Sequence, residues 1–299
     1  MINLELLKPE NAHFFWKGLS QSFSVGYEIE EEATFTKNIK EDLKRNPFSY
    51  FQITDDNLKL GGGFKIFKGG ISHFFIDLNL PYLDKLIEHV LRFIEPINSK
   101  IIGYVKERYV SLFLKNKFNI DYIRYTMHLN FNDFKSILTE NGQSSHEITD
   151  FSEFRLKEIV ELFRKAYENT VDERILRYQD TERIYQMLQM IINNKRGSFI
   201  FLKDCSFIAT KDNKVIGVIL IALNMNKPLI LDIAVAKDYQ SQGIGRNLIL
   251  KSIKSLSTDF SELNLTVTKD NFSAEQLYQS LGFKKITEDF YALIREDLA

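Results

Sequence analysis

At 299 residues the chain has room for about two domains of ~100–200 residues each, and 44% hydrophobic with 26% charged residues is an ordinary globular composition. A net charge of −1 gives no bulk attraction to nucleic acid or to an anionic membrane, and no apolar stretch approaches the ~18 residues of a membrane span. Cys205 is the only cysteine, which excludes an internal disulfide framework and a cysteine-rich zinc site and points to a reducing, cytoplasmic setting.

The first residues lack the basic-then-apolar pattern of a signal peptide. Asn11–Phe23, rich in aromatics, reads as a helix with a core face, and Phe35–Lys44 as a second helix ending before Pro47. Phe48–Thr54 and Leu58–Phe67 read as strands joined at Asp55-Asp56-Asn57, with Gly61-Gly62-Gly63 marking a bulge or a close backbone approach. After a turn at Lys68-Gly69-Gly70 come a strand over Ile71–Asn79 and a helix opened by Pro81. Ile101–Val105, Tyr109–Lys117 and Tyr122–Phe131 read as strand, short helix and strand. Residues 136–145, ending in Glu140-Asn141-Gly142-Gln143-Ser144-Ser145, have linker composition. They divide a first domain, 1–135, from a second, 146–299.

The second half repeats the order. Glu147–Phe151 is a strand, and two helices follow, the first carrying Leu156, Ile159 and Phe163 and the second Ile184, Leu188 and Ile191. Ser198–Lys203, Phe207–Lys211 and Val215–Leu223 are strands, the last two joined at Asp212-Asn213. The apolar run Leu229–Ala236 then leads through a glycine loop into a helix carrying Leu248, Ile249 and Ile253. Leu263–Thr268 is a strand. The helix Ala274–Leu281 is signed by a Ser273/Gln276 capping box and by Gly282, and Phe283–Thr287 and Phe290–Ile294 finish the domain. The architecture is α/β, in two similar halves. Phe75-Ile76-Asp77-Leu78 matches Ile230-Leu231-Asp232-Ile233, and Phe113 with Phe118 matches Tyr278 with Phe283. Between these anchors the first half is about ten residues shorter, with Leu80-Pro81 standing in for Lys237–Arg246. It lacks the glycine loop, and Asp84 and Glu88 would repel an anion at the start of its helix.

Gly243 and Gly245 let an anion approach the backbone, and the helix start beyond them offers unpaired N–H groups. Two glycines alone fit a plain tight turn equally well. The wider pattern resembles the GNAT superfamily of N-acetyltransferases. Gln240-Ser241-Gln242-Gly243-Ile244-Gly245 matches its Q/R-x-x-G-x-G/A loop. Val235 and Tyr239 match the strand that leads into the loop, and the segment from Asn271 to Phe283 matches N-x-x-A-x-x-L-Y-x-x-x-G-F. One departure is Lys237, where many members have proline; no chemical role is expected of it.

This resemblance, spanning about His146 to Glu296, implies two mixed, mostly antiparallel sheets flanked by helices, the first a degenerate copy without the cofactor loop. It implies acetyl-CoA as cosubstrate and no metal. Gln240, Ser241, Gln242, Gly243, Ile244, Gly245 and Arg246 would hold the pyrophosphate, and Ile233, Ala234 and Val235 the pantetheine. The N–H near Val235 would polarise the thioester, and Tyr278 would protonate the departing thiolate. Asn271 would touch the cofactor or cap the turn after its strand. Asp232, alone among acids in an apolar strand, is a candidate base, with water and the carboxylates of Glu168–Glu173 as alternatives; its match to Asp77 favours a structural role instead. No histidine lies beyond His146, so none is expected to act in the second half. Small-molecule amines, peptide N-termini and protein lysines all stay open as the acceptor, and no nucleic acid or membrane partner is expected. An acyl-CoA-binding sensor without turnover and a protein-binding scaffold are the competing readings. A monomer or a homodimer fits equally.

Overall fold

The computed structural model describes residues 3–22, 32–54, 60–77, 79, 83–94, 99–134, 146–194, 199–224, 226–286 and 289–296. In chain order the elements are β1 (Asn3–Leu6), α1 (Ala12–Ser22), α2 (Glu32–Arg45), β2 (Tyr50–Thr54), β3 (Leu60–Phe67), β4 (Gly70–Ile76), α3 (Leu83–Leu91), β5 (Lys100–Lys106), α4 (Val110–Leu114) and β6 (Asn119–Asn130). Next come β7 (Glu147–Asp150), α5 (Leu156–Tyr167), α6 (Val171–Leu176), α7 (Thr181–Ile192), β8 (Ile200–Phe201), β9 (Phe207–Lys211), β10 (Lys214–Asn224) and β11 (Lys227–Val235). The chain closes with α8 (Ile244–Leu256), β12 (Glu262–Thr268), α9 (Phe272–Ser280), β13 (Lys284–Lys285) and β14 (Phe290–Glu296). The linker and the turns at Asp55-Asp56-Asn57 and Leu80-Pro81 lie outside the described residues, as does the side chain of Asp84.

The chain divides into two compact units, 1–125 with 286–299, and 126–285. In the first, the strands run β1-β2-β3-β4-β5-β14, with β14 also paired to the first part of β6. Every contact is antiparallel except β4 with β5, which pair in parallel at Gly70 and Ile71 only. Aromatic residues fill this core: Phe15, Phe64 and Phe113 are fully buried, and Phe75 meets Phe15 edge-on at 5.0 Å. Glycine lets the layers touch. A Cβ at Gly63 would lie 2.5 Å from the Phe15 ring, and β3 also bulges here, so both readings of the triple glycine hold.

In the second unit the order is β6 (its second part), β12, β11, β10, β9, β7, with β11 and β12 the parallel pair. Alternation along β10 builds the layers. Val218 and Leu220 join Ile159, Phe163, Ile184 and Leu188 of α5 and α7 on one face. Gly217 faces α8 on the other, where a Cβ would meet Ile244 at 3.0 Å.

Two local expectations are revised. The strand Phe290–Glu296, assigned by its position in the sequence to the second domain, pairs with β5 and with Asn119–Arg124 in the first unit. Strand pairing is non-local, and nothing in a strand's own residues names its neighbour. The cap of α9 is Asn271, whose side chain accepts from the Ala274 N–H, rather than Ser273. Two further elements, β1 and the six-residue α6, fall below the length at which periodicity is readable.

Candidate active site

The site grows from one irregularity. β10 and β11 keep register until Leu220 opposes Asp232 and Ile221 opposes Ile230, so Leu231 is an extra residue. A bulge re-aims the side chains beside it and ends pairing. Parallel pairing of β11 with β12 stops at the same place, being confined to Leu229 and Ile230. From Leu231 to Val235 one edge of β11 therefore faces a gap. The Ala236 N–H donates to Ile216 O at 2.8 Å, so Gly217–Val235 and Ile219–Ile233 are the non-hydrogen-bonded pairs of the ladder. The N–H groups of Ile233 and Val235 consequently point into the gap.

Asp232 stands at its wall. Tyr167, the last residue of α5, donates to Asp232 Oδ1 at 2.5 Å and lies 3.1 Å from Ile233 O. Tyr178 donates to Asp232 Oδ2. Burial pushes the Asp232 carboxyl up and outweighs these hydroxyl donors and the adjacent Ile233 N–H, which pull it down; Asp172 adds to the upward push. Tyr167 is raised well above its ordinary range by burial and by the Asp232 charge. Tyr278 is buried in α9, its ring 5.8 Å from Phe283, within electrostatic range of Tyr167.

The loop after β11 ends at Gly243, the N-cap of α8, with φ +79° and no atom within 4 Å of where a Cβ would sit. Gly245 serves packing instead: a Cβ there would stand 3.2 Å from Leu277 and 3.8 Å from Val235. The first helical bond runs from the Asn247 N–H to Gly243 O, leaving the N–H groups of Ile244, Gly245 and Arg246 without partners inside the helix. Gln240, Ser241, Gln242 and Gly243 are exposed. The Gln240 and Gln242 amides brace the loop on Val235 O and Asp238 O, both at 3.1 Å. Arg246 donates to Ser280 Oγ at 3.2 Å. An open loop of N–H groups on a helix start is the donor set that a pyrophosphate needs, so the residues fit that group.

Asn271 caps α9 with its oxygen and donates its amide to Asp172 Oδ2 at 3.3 Å. Lys237 donates to Glu168 O at 3.0 Å, tying the chain after α5 to the end of β11. Burial raises the Cys205 thiol and keeps thiolate scarce. Sequence reasoning missed Tyr167 and Tyr178; two tyrosines flanking a polar segment carry no spacing signal. It also paired Asp232 with Asp77. Asp77 is exposed beyond the end of β4 and accepts from the Asn79 N–H at 2.9 Å in a local turn, so the two aspartates share no environment.

Comparison with known proteins gives this geometry its family. Residues 179–293 match the family described as "Acetyltransferase (GNAT) domain". The chain carries a GNAT acetyltransferase domain. The region is 26% identical over 133 residues to an N-alpha-acetyltransferase of Saccharolobus solfataricus, covering 38% of this chain and 80% of that enzyme. It is 34% identical over 83 residues to the [ribosomal protein bS18]-alanine N-acetyltransferase of Escherichia coli K12, covering 27% of this chain and 56% of that one. In fold, a tandem GNAT protein from the clavulanic acid biosynthesis pathway superposes with a TM-score of 0.62 at 9% identity, covering 100% of this chain and 99% of its own. The GNAT likeness in fold thus extends over both units.

Proposed function

We propose that the chain is an acetyl-CoA-dependent N-acetyltransferase acting on a primary amine, with a peptide α-amine the first acceptor to try. The observation that carries this is the gap itself. It opens at Leu231, has inward N–H groups and the Asp232 carboxylate on one wall, and leads to the N–H-rich start of α8. The α-amine preference rests on the names of the two curated relatives.

Bound acetyl-CoA would supply an acetyl group activated as a thioester. Gln240–Arg246 would hold the pyrophosphate, Ile233, Ala234 and Val235 would line the pantetheine, and Asn271 would support that wall through its bond to Asp172. The inward N–H of Val235 would donate to the thioester oxygen as negative charge builds there, a contribution of about 10²–10³ in rate. Asp232, made more basic by burial, would take the proton that the amine sheds as its nitrogen bonds to the acetyl carbon. Tyr278 would give a proton to sulfur as the carbon–sulfur bond breaks, and recover it through solvent.

The first unit reads as a copy of this scaffold without the chemistry. Its parallel pair also parts after two residues. The Phe118 N–H returns to Phe113 O as the Phe283 N–H returns to Tyr278 O, so Phe113 holds the tyrosine's place. β4 bulges between Ser72 and Phe75, and Phe75 is the residue past it that meets α1, as Asp232 meets α5. Two phenylalanines then replace the proposed base and acid.

Incubating the protein with acetyl-CoA and a panel of amines, including alanine-terminated peptides, while detecting free thiol tests the reading. Amine-dependent thiol release supports it. Tight acetyl-CoA binding with no release across the panel favours the sensor, and no binding at all favours the scaffold.

A further inference from the structure

The segment between α5 and α7 is bonded to both walls of the gap. At its near end Tyr167 and Tyr178 meet Asp232 of β11. At its far end Asp172, in the first turn of α6, meets the other wall. Its Oδ1 accepts from Thr268 Oγ1, the last residue of β12, at 2.6 Å, and its Oδ2 accepts from Asn271 Nδ2 at 3.3 Å. Asp172 is only 7% exposed, an unusual burial for an aspartate facing solely neutral donors in these bonds. Sequence alone offers it as one of several acids in a mixed polar stretch.

The six residues of α6 link these two attachments rigidly. Thr170 caps the start by accepting from the Glu173 N–H. Arg177, in the left-handed conformation at φ 57°, ends the helix, and the Tyr178 N–H returns to Glu173 O at 2.9 Å. That turn aims the Tyr178 ring back at Asp232. A displaced first turn of α6 would therefore carry the Tyr178 hydroxyl with it.

We propose that Asp172 is a positioning residue for acetyl transfer: its bonds to Thr268 and Asn271 fix α6 across the gap and so hold Tyr178 against Asp232. This rests on Asp232 being the base. A hydroxyl on each oxygen holds the carboxylate plane from both sides and so narrows its swing beneath the incoming amine, and Tyr178 supplies one of the two. Asp172 touches neither substrate in this scheme and acts through the tyrosine.

A double-mutant cycle reads that route, combined with amide hydrogen exchange over residues 171–178. Asp172→Ala and Thr268→Val should each lower kcat/KM for the amine by ~10–100-fold, the size of a small misplacement of a reacting group. Acetyl-CoA affinity should fall by far less than kcat/KM, because the loop Gln240–Arg246 is untouched and Asn271, though it loses its bond to Asp172, keeps its cap on α9. In a Tyr178→Phe background the same Asp172→Ala change should cost less than about threefold, since the route is already cut. A merely structural aspartate would give costs that multiply, and that result overturns the proposal. Faster exchange over 171–178 in Asp172→Ala is expected with or without turnover, and unchanged exchange also overturns it. Should the wild type acetylate no amine, the catalytic reading fails by itself, while the exchange measurement still decides whether Asp172 holds α6. Asp172→Asn, which keeps the acceptor for Thr268, provides a milder variant where alanine prevents folding; partial rescue by it is expected.

Discussion

In the proposed mechanism Asp232 sets stability against chemistry. Its carboxyl is raised above the ordinary 3.8 by burial. Between that value and the folded-state value the native chain binds the proton more tightly than the unfolded chain does, so this group's contribution to stability falls as pH rises through the window. At neutral pH the native state bears the cost of a half-buried charge held by neutral hydroxyls. Asp232→Asn should therefore leave the melting temperature unchanged or higher, while kcat falls by ~10²–10⁴, the usual worth of a general base. Calorimetry beside turnover checks both. The acid limb of kcat/KM should lie above the ordinary carboxylate range in the wild type and vanish in Asp232→Asn. Tyr278→Phe removes one hydroxyl from a packed ring; turnover should drop while acetyl-CoA affinity holds, and unchanged turnover would remove the tyrosine from the mechanism.

At the scale of elements, the loop and the start of α8 work through geometry more than through side chains. Gly243→Glu forces a left-handed backbone on an ordinary residue, at roughly 1–2 kcal/mol, and extends a carboxylate into the open space above the cap. Binding of acetyl-CoA should be abolished, as titration calorimetry would read, with only a few degrees lost in melting. The bulge at Leu231 is the other device. It turns β11 away from β12 and sends Asp232 towards α5 in one step, so the gap and the proposed base arise together. Helices and strands with clear periodicity were legible in the sequence, among them α5, α7, β9, β10 and α8. The bulge was not, because a one-residue register shift depends on the partner strand's residues as much as on its own.

Over the whole molecule, the two units do not follow the cut that the sequence suggests. The first needs β14 from the end of the chain, and the second includes 126–134 from before the linker. A fragment of residues 146–299 would keep the loop and all of the candidate site. It would lose Thr126–Asn130, and its β14 would have neither β5 nor β6 to pair with. Such a fragment should show no cooperative melt and should associate through its unpaired strands, whereas the full chain melts cooperatively; circular dichroism and sedimentation distinguish the two.

The sequence by itself determined the glycine loop, the tyrosine helix and the α/β order, because turn chemistry and hydrophobic period are written into neighbouring residues. From those came the GNAT family. Tertiary structure alone decided which strands pair, that Asp232 rather than Asp77 stands in a gap, and that Tyr167 at the end of α5, with Tyr178 and Asp172 from the polar segment after it, is bonded to the walls of that gap. A carboxylate's role depends on what surrounds it in space, and burial, bulge and partner hydroxyls are brought together only when the chain has folded.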